Sequence, residues 1–384
     1  MFDLIDEWGP EKIVCVSDSR TGMRGVLVID NTARGMGKGG TRMSTTVSVD
    51  EVARLARNMT WKWAGVDLFY GGAKAGICAD PNATSKEAVL RSFVRALRNE
   101  VPEEYVFGLD VGLTEDDAAI MLDEVGGRGG AVGTPHALGG LPYDQLGVTG
   151  HGVAESADAA AQALGLDIKT LSVSIQGFGA VGAATARRLT QLGANVVAVS
   201  TSRGGLHNPD GLNVAELLEL RDHLGDELVT HYNSAAKPLA PQEELTISAD
   251  ILIPAALQDV IDADLAATLP AKIVVEGANL PSSPQAQQVL FERGITVVPD
   301  FIANAGGVVA AAVAMDARYS GIRPATAAVF ESISTKLRAS TIETLEASTA
   351  HSQTTHHVAR TTAQHRVREA MRLRGRLPKH TERT

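Results

Sequence analysis

LSVSIQGFGAVGAATARRLTQLGANVVAVS, residues 171–200, is a strand, a glycine turn, a helix and a second strand in immediate succession. Leu171 to Ile175 and Val196 to Ser200 carry the β-branched runs of buried strands, and Ala183 to Leu192 between them is helical. The join reads Gly177-Phe178-Gly179-Ala180-Val181-Gly182, a G-x-G-x-x-G pattern. Alone that pattern is weak, but inside a complete βαβ unit it is a dinucleotide-binding fingerprint. Gly177 permits the turn, Gly179 lets the backbone approach a pyrophosphate, and Gly182 lets the helix pack on the strand. The free N–H groups at the helix start would hold the phosphates. A glycine-rich turn with no ligand is the bland alternative, and the βαβ context weighs against it.

Three further strands follow, Asp250 to Pro254, Lys272 to Glu276 and Ile295 to Val298. They alternate with helices near Asp262 to Leu269 and Ser283 to Arg293, which predicts a parallel sheet. Ligands of such sheets lie outside the carboxyl ends of the strands, so Ala255, Ala256, Asn279 and Asn304 fall on the cofactor side. The second strand of the fingerprint ends Ser200-Thr201-Ser202-Arg203. An NAD site usually carries an acid there for the ribose hydroxyl, and that acid repels a 2′-phosphate. With Thr201 in its place, and Ser200, Ser202 and Arg203 able to donate to a phosphate, NADP is the expected cofactor over NAD.

Upstream, Lys12 to Val16 and Arg24 to Ile29 read as a hairpin. Arg34 to Met43 holds four glycines around Lys38 and reads as a binding loop. Ser48 and Glu51 form a capping box for a helix that ends near Lys62. Lys74 then sits inside Gly71-Gly72-Ala73-Lys74-Ala75-Gly76. Lysine is rarely buried unless paired, so a lysine among glycines suggests a task. Asp110 closes a strand from Tyr105, a place more often filled by a turn residue than by a catalytic one. Gly126 to Gly150 reads as a crossover into a second domain, and His356 with its neighbour His357 as surface residues, since adjacent helical positions do not face each other.

Composition sets outer bounds. A chain of 384 residues exceeds one ordinary core, so two domains are expected. It has 38 glycines and only 4% aromatics, which fits α/β packing with tight turns. A net charge of -10 argues against a nucleic-acid binder, whose basic surface must offset phosphate. Cys15 and Cys78 make neither a disulfide framework nor a metal cluster, and no metal is expected. The start, MFDLIDEWGP, lacks the basic flank and apolar core of a signal peptide. No run reaches the ~20 apolar residues of a membrane helix. A cytoplasmic protein with no membrane partner is the expectation.

In order, KGGTR, MTWK, GGAKAG, the Asp110 segment, VTGHG, GFGAVG, GAN and NAGG resemble the glutamate/leucine/phenylalanine/valine dehydrogenases. The resemblance runs from the first hairpin through Met315 and more loosely beyond. It implies an α/β fold of two domains with the active site in the cleft between them. Residues 1–140 would form a substrate-binding and oligomerisation domain, joined by C-terminal helices 316–384, and residues 141–315 a Rossmann-type dinucleotide-binding domain. It implies Lys74 as the catalytic lysine, Asp110 as the catalytic acid and Lys62 as the holder of the substrate α-carboxylate. Met59, Asn304, Val308 and Ala311 would complete the substrate pocket, and Thr149, Ala180, Asn279 and Asn304 would face cofactor or substrate. A homo-oligomer is implied, a hexamer foremost.

The branches of the family differ at Lys38, which in the glutamate branch binds the distal carboxylate and in the leucine branch is replaced by an apolar residue. The MTWKWAGVD segment and Lys38 resemble the glutamate branch, the opening hairpin and GTRM the leucine and phenylalanine branch. Ala311 stands where the glutamate branch has a serine on the same carboxylate. L-glutamate is the expected substrate, and branched-chain or aromatic amino acids are the alternative. A cofactor-binding regulator without catalysis and a hydroxy-acid dehydrogenase stay open as other classes. The chemistry itself asks for a base near neutral pKa, and the reading places Lys62 beside Lys74 to supply the repulsion that lowers it.

Overall fold

The computed structural model describes residues 2–377, so the end of the basic tail, residues 378–384, lies outside the described residues. The chain forms two compact units. The first holds the residues up to Tyr143, Ala310–Thr326 and the described residues from Thr361 on, and the second holds Asp144–Val309 and Ala327–Arg360.

In the first unit, strands β1 (Lys12–Asp18) and β2 (Met23–Asn31) form the antiparallel hairpin. They are followed by β3 (Gly37–Lys38), β4 (Thr41–Ser44), helix α1 (Val49–Gly65), β5 (Gly71–Cys78), α2 (Lys86–Ala96), β6 (Tyr105–Val106) and α3 (Glu115–Val125). The sheet order is β1-β2-β5-β3-β6, with β4 also pairing β5. Ser48 caps α1 by accepting from the Glu51 N–H, and Thr114 caps α3 in a reciprocal box with Asp117. Met23, Leu27, Met43, Ile77, Leu90, Phe93, Tyr105 and Phe107 are buried in one core beneath the sheet. The glycine-rich segment around Lys38 is therefore not a free loop. Its backbone pairs in parallel with β5 and β6, because glycines leave room for three backbones to run side by side.

A short helix α4 (Tyr143–Leu146) leads to α5 (Val148–Ala163), β7 (Ser172–Gln176), α6 (Ala180–Leu192), β8 (Asn195–Thr201) and β9 (Gly204–His207). Then come α7 (Val214–Leu224), α8 (Leu228–His231), β10 (Lys237–Leu239), β11 (Ile251–Pro254), α9 (Ala263–Thr268), β12 (Ile273–Val275), α10 (Pro284–Glu292) and β13 (Thr296–Val298). The second unit's sheet has the order β10-β9-β8-β7-β11-β12-β13. From β8 to β13 it is parallel, as the alternation of strand and helix requires, and β9 and β10 extend one edge antiparallel.

The chain closes with α11 (Asp300–Ala303), α12 (Gly306–Ala317), α13 (Thr326–His351) and α14 (Thr355–Leu373). The stretch Asp300–Ala317 is 18 residues long and apolar enough by composition to cross a membrane, but 72% of it is buried inside the protein. Segment 316–384 does not join the first unit as one block, which corrects the expected division. Residues 327–360 pack with the second unit instead. Arg338 pairs there with Glu155 at 3.1 Å and Asp158 at 2.5 Å, and the Leu337 side chain lies against Gly152.

Candidate active site

Lys74 lies midway along β5, and its side chain is 8% exposed. Its Nζ stands 2.9 Å from Asp110 Oδ2. The same carboxylate oxygen accepts from Arg42 Nε at 2.9 Å, and Arg42 reaches Glu51 with Nη1 at 2.8 Å. Burial pushes the Asp110 carboxyl up, but Lys74 and then Arg42 outweigh it and bring it down to about 2. Asp110 is thus an ionised carboxylate at neutral pH, tied to two cations. The expected neighbour of Lys74 was a second cation, Lys62; the group 2.9 Å from its ammonium is the Asp110 carboxylate. Lys62 is in the last turn of α1, half-buried.

Gly40 brings Asp110 into place: a Cβ there would lie 2.4 Å from the Leu109 carbonyl oxygen and 3.0 Å from Asp110 Cβ. Met59, one helical turn before Lys62, has its Cγ within 3.3 Å of the point where Gly39 would carry a side chain. Both therefore belong to the neighbourhood of the glycine segment.

Lys38 is 2% exposed. Its Nζ donates to the Val106 carbonyl at 2.9 Å and, at 3.4 Å, to that of Gly39. The Tyr105 ring lies 6.0 Å away, and Trp63 Nε1 fixes the Lys38 carbonyl at 2.9 Å. Burial first, then the charges of Lys74 and Arg318, push the ammonium down to about 7. Its remaining donor capacity and its near-neutral titration suit a cation that gains charge when an anion arrives. Ala311 is buried on α12 of the same unit and offers no hydroxyl, while Arg318, two turns further along that chain segment, contributes charge felt at Lys38.

In the second unit, Gly177 turns the chain with φ +86, and a Cβ on Gly182 would meet the Gly177 carbonyl oxygen at 1.8 Å. Gly179, the N-cap of α6, has no side-chain cap, and a Cβ there would meet nothing within 4 Å. The α6 N-terminus therefore presents open N–H groups, which fits a pyrophosphate. Gly179 and Ala180 are exposed, Val181 is half-buried, and Phe178 is buried, so any Phe178 contact is through its backbone. The Cβ position of Gly177 lies 2.6 Å from Ala256 Cβ, and that of Gly277 lies 3.1 Å from Ala255 Cβ, so the ends of β7, β11 and β12 meet at one rim. Thr149 lies against the NAGG turn, its Oγ1 3.3 Å from the Gly307 Cβ position. Asn304 donates to Asn279 Oδ1 at 2.9 Å, and its own Oδ1 is buried without a partner among the described residues, which a ligand donor would satisfy. Val308 is buried in the first turns of α12.

Ser200 departs from expectation. It is buried, and its Oγ accepts from the Gly177 N–H at 3.1 Å, so it braces the turn and is not free for a phosphate. Thr201 Oγ1 donates to the Asp226 carbonyl, Ser202 Oγ to Asp226 Oδ2 at 2.6 Å, and Arg203, 61% exposed, pairs with Glu227 at 2.9 Å.

Arg42, Tyr105, Trp63 and Arg318 were missed by the sequence reading. Only Arg42 left a signal, as a charged residue at a strand position within GTRM. His356 was read as surface; its Nε2 is 2.7 Å from Glu276 Oε2, with side-chain exposures of 13% and 1%.

A family model described as Glutamate/Leucine/Phenylalanine/Valine dehydrogenase matches residues 139–375. One described as Glu/Leu/Phe/Val dehydrogenase, dimerisation domain, matches residues 10–126. The chain is 40% identical over 300 residues to a glutamate dehydrogenase of Thermotoga maritima, covering 74% of this chain and 70% of that one. It is 38% identical over 288 residues to the NADP-specific glutamate dehydrogenase A1 of Halobacterium salinarum, covering 72% and 68%. The crystal structure of the hetero-hexameric glutamate dehydrogenase of Thermus thermophilus, in its Leu bound form, matches at a TM-score of 0.84 with 31% identity, covering 98% of this chain and 93% of that one. With both family models matched and the lysine–aspartate centre and dinucleotide cradle in place, the chain belongs to the glutamate/leucine/phenylalanine/valine dehydrogenase family and is an NAD(P)-dependent amino-acid dehydrogenase.

Proposed function

We propose that the chain deaminates L-glutamate reversibly to its 2-oxo acid and ammonia, with NADP preferred over NAD. The observation that carries the substrate is Lys38. A buried ammonium that meets only carbonyls and a ring among the described residues is costly, and a distal carboxylate repays that cost where a leucine side chain does not. Two relatives named glutamate dehydrogenase at about 40% identity support the same reading.

In this reading a bound nicotinamide would supply the acceptor for the hydride of Cα. Lys62 holds the α-carboxylate. Asp110, ionised beside Lys74 and Arg42, takes a proton from the substrate ammonium. Once Cα has become an imine carbon, Lys74, having first given its own proton to solvent, removes one from the water that adds there. Asp110 returns its proton to the amino nitrogen, the C–N bond breaks with its electron pair on the departing ammonia, and the new hydroxyl gives up its proton to solvent, which leaves the 2-oxo acid. For NADP the support is Thr201 in place of an acid, with Ser202 and the exposed Arg203 beside it. Those two side chains are held by Asp226 and Glu227. A cytoplasmic, self-associating protein, a hexamer of one chain, completes the proposal; a matched dimerisation domain and a hetero-hexameric relative support the association.

The test is kcat/KM for glutamate against leucine, valine and phenylalanine with each cofactor, in the parent and in Lys38→Leu. Glutamate with NADP should lead in the parent, and Lys38→Leu should lower its kcat/KM by on the order of tenfold or more, the value of one charge-assisted hydrogen bond. A parent that prefers leucine, or a Lys38→Leu variant with full glutamate activity, defeats the substrate assignment. Ala311 favours the second reading, a branched or aromatic side chain, and the same panel separates the two.

A further inference from the structure

His356 is the second residue of α14, a helix of 19 residues. A cation near a helix N-terminus opposes the helix dipole, so helix stability does not account for it there. What it meets is Glu276, 1% exposed, which directly follows β12. Glu276 Oε2 takes the imidazole at 2.7 Å and also accepts from the Asp300 N–H at 3.0 Å. Asp300 Oδ2 accepts from the Leu280 N–H at 2.9 Å, and the Asp300 carbonyl accepts from the Asn304 N–H at 2.8 Å. Asn304 Nδ2 closes the circuit on Asn279 Oδ1 at 2.9 Å and on the Gly277 and Ala278 carbonyls at 3.4 Å. One run of buried and part-buried hydrogen bonds therefore leads from α14 to both asparagines on the cofactor rim.

We propose that His356 is a positioning residue for the dinucleotide: through Glu276 and Asp300 it holds the segments 277–280 and 299–304 so that Asn279 and Asn304 stay placed on the cofactor rim. The inference rests on the dinucleotide reading of this rim. Without His356, Glu276 becomes a buried carboxylate that has lost its cation, and its other oxygen, Oε1, already lacks a partner among the described residues. The segments it braces would then shift to solvate it.

The charge on His356 matters as well. Burial works against the imidazolium, but Glu276 and Asp300 outweigh burial and the opposing charge of Arg360 on its own helix, so His356 titrates above ordinary histidine. Glu346 of α13 lines the same cavity, of about 500 Å³, and is solvent-exposed. The ion pair is present at low pH and is lost as pH rises through the raised pKa, so dinucleotide affinity should fall on the alkaline side.

The experiment uses full-length protein. NADPH affinity is read from its fluorescence across about pH 6–9, the range that brackets histidine, alongside kcat, both KM values and thermal melting. His356→Leu should weaken NADPH binding and raise the cofactor KM by on the order of tenfold, as loss of a buried charge-assisted bond does, with the amino-acid KM little changed. His356→Gln keeps a donor toward Glu276 but no charge; it should bind within about threefold of the parent at alkaline pH and lose the pH step. Variants that melt lower yet keep parental affinity, KM values and pH profile would overturn the proposal. If His356→Leu does not fold, a His356→Gln variant that retains the alkaline fall overturns it equally. A parent with no amino-acid-dependent turnover would defeat the dehydrogenase reading, whereas the NADPH arm would still decide this one.

Discussion

Two glycine-rich segments, 37–40 and 177–182, look alike in composition and serve opposite ends. In the first, a Cβ on Gly39 would lie 1.7 Å from the Ala73 carbonyl oxygen. In the second, a Cβ on Gly179 would meet nothing within 4 Å. The first set of glycines makes room for protein: it lets β3 lie beside β5 and carries Lys38 and Asp110 to Lys74. The second keeps room for something that is not protein, at a strand end whose helix offers uncapped N–H groups. Density of glycine says that a backbone comes close; only the neighbours say to what.

The comparison breaks most visibly at the lysine that the first segment serves. Lys74→Ala should lower kcat by ~10²-fold or more, the usual worth of a general base, while NADPH affinity stays near parental. A variant with near-normal kcat would remove Lys74 from the chemistry and leave the first segment as packing alone.

Next in size is the pair Gly39→Ala and Gly179→Ala. The former should destabilise by ~1–3 kcal/mol or more, since a methyl must displace the β5 backbone. The latter should stay within about 0.5 kcal/mol of the parent in unfolding free energy, as surface changes do, and should weaken the dinucleotide. Equal stabilities by denaturant titration would erase the distinction.

The last effect is a pH slope, small over any one pH unit. Lys38 titrates near 7 in the fold against an ordinary 10.5. Between those values the unfolded chain binds the proton and the folded one releases it, so stability rises with pH. The parent should gain on Lys38→Met by up to about 1.4 kcal/mol per pH unit inside that window, and by nothing below it. In the same window the KM for glutamate should climb, because the carboxylate needs the charged lysine. A flat difference between the two unfolding curves would contradict a buried, depressed Lys38.

Local chemistry was legible in the sequence. The fingerprint, the first hairpin and the cap at Ser48 are each settled within a few residues, and each is found where it was read. Contacts between distant segments were not legible. Asp110 is 2.9 Å from Lys74 because β3 and β4 slot between their strands, and nothing near either residue announces that. Helical periodicity correctly separates His356 from His357 but does not reveal that one of them faces a buried carboxylate 80 positions earlier in the chain. Ser200 was read for its hydroxyl donor, and the fold uses that oxygen as an acceptor for the turn it follows in space.

The first unit is not a contiguous stretch of chain, and this bears on how such proteins can be recombined. Ala363, Val367 and Met371 of α14 bury themselves with Ala33, Trp61 and Ala64 of the first unit, and Arg366 caps the end of α1 by donating to the Ala64 and Gly65 carbonyls at 2.9 and 3.0 Å. A chimera that exchanges only the N-terminal third for that of another family member would mate a foreign α1 with a native α14. The interchangeable module is therefore a set of three segments, ending near Tyr143, running from Ala310 to Thr326 and beginning again at Thr361. Substrate preference grafted by splicing at one point would arrive with the α14 half of this cluster left behind.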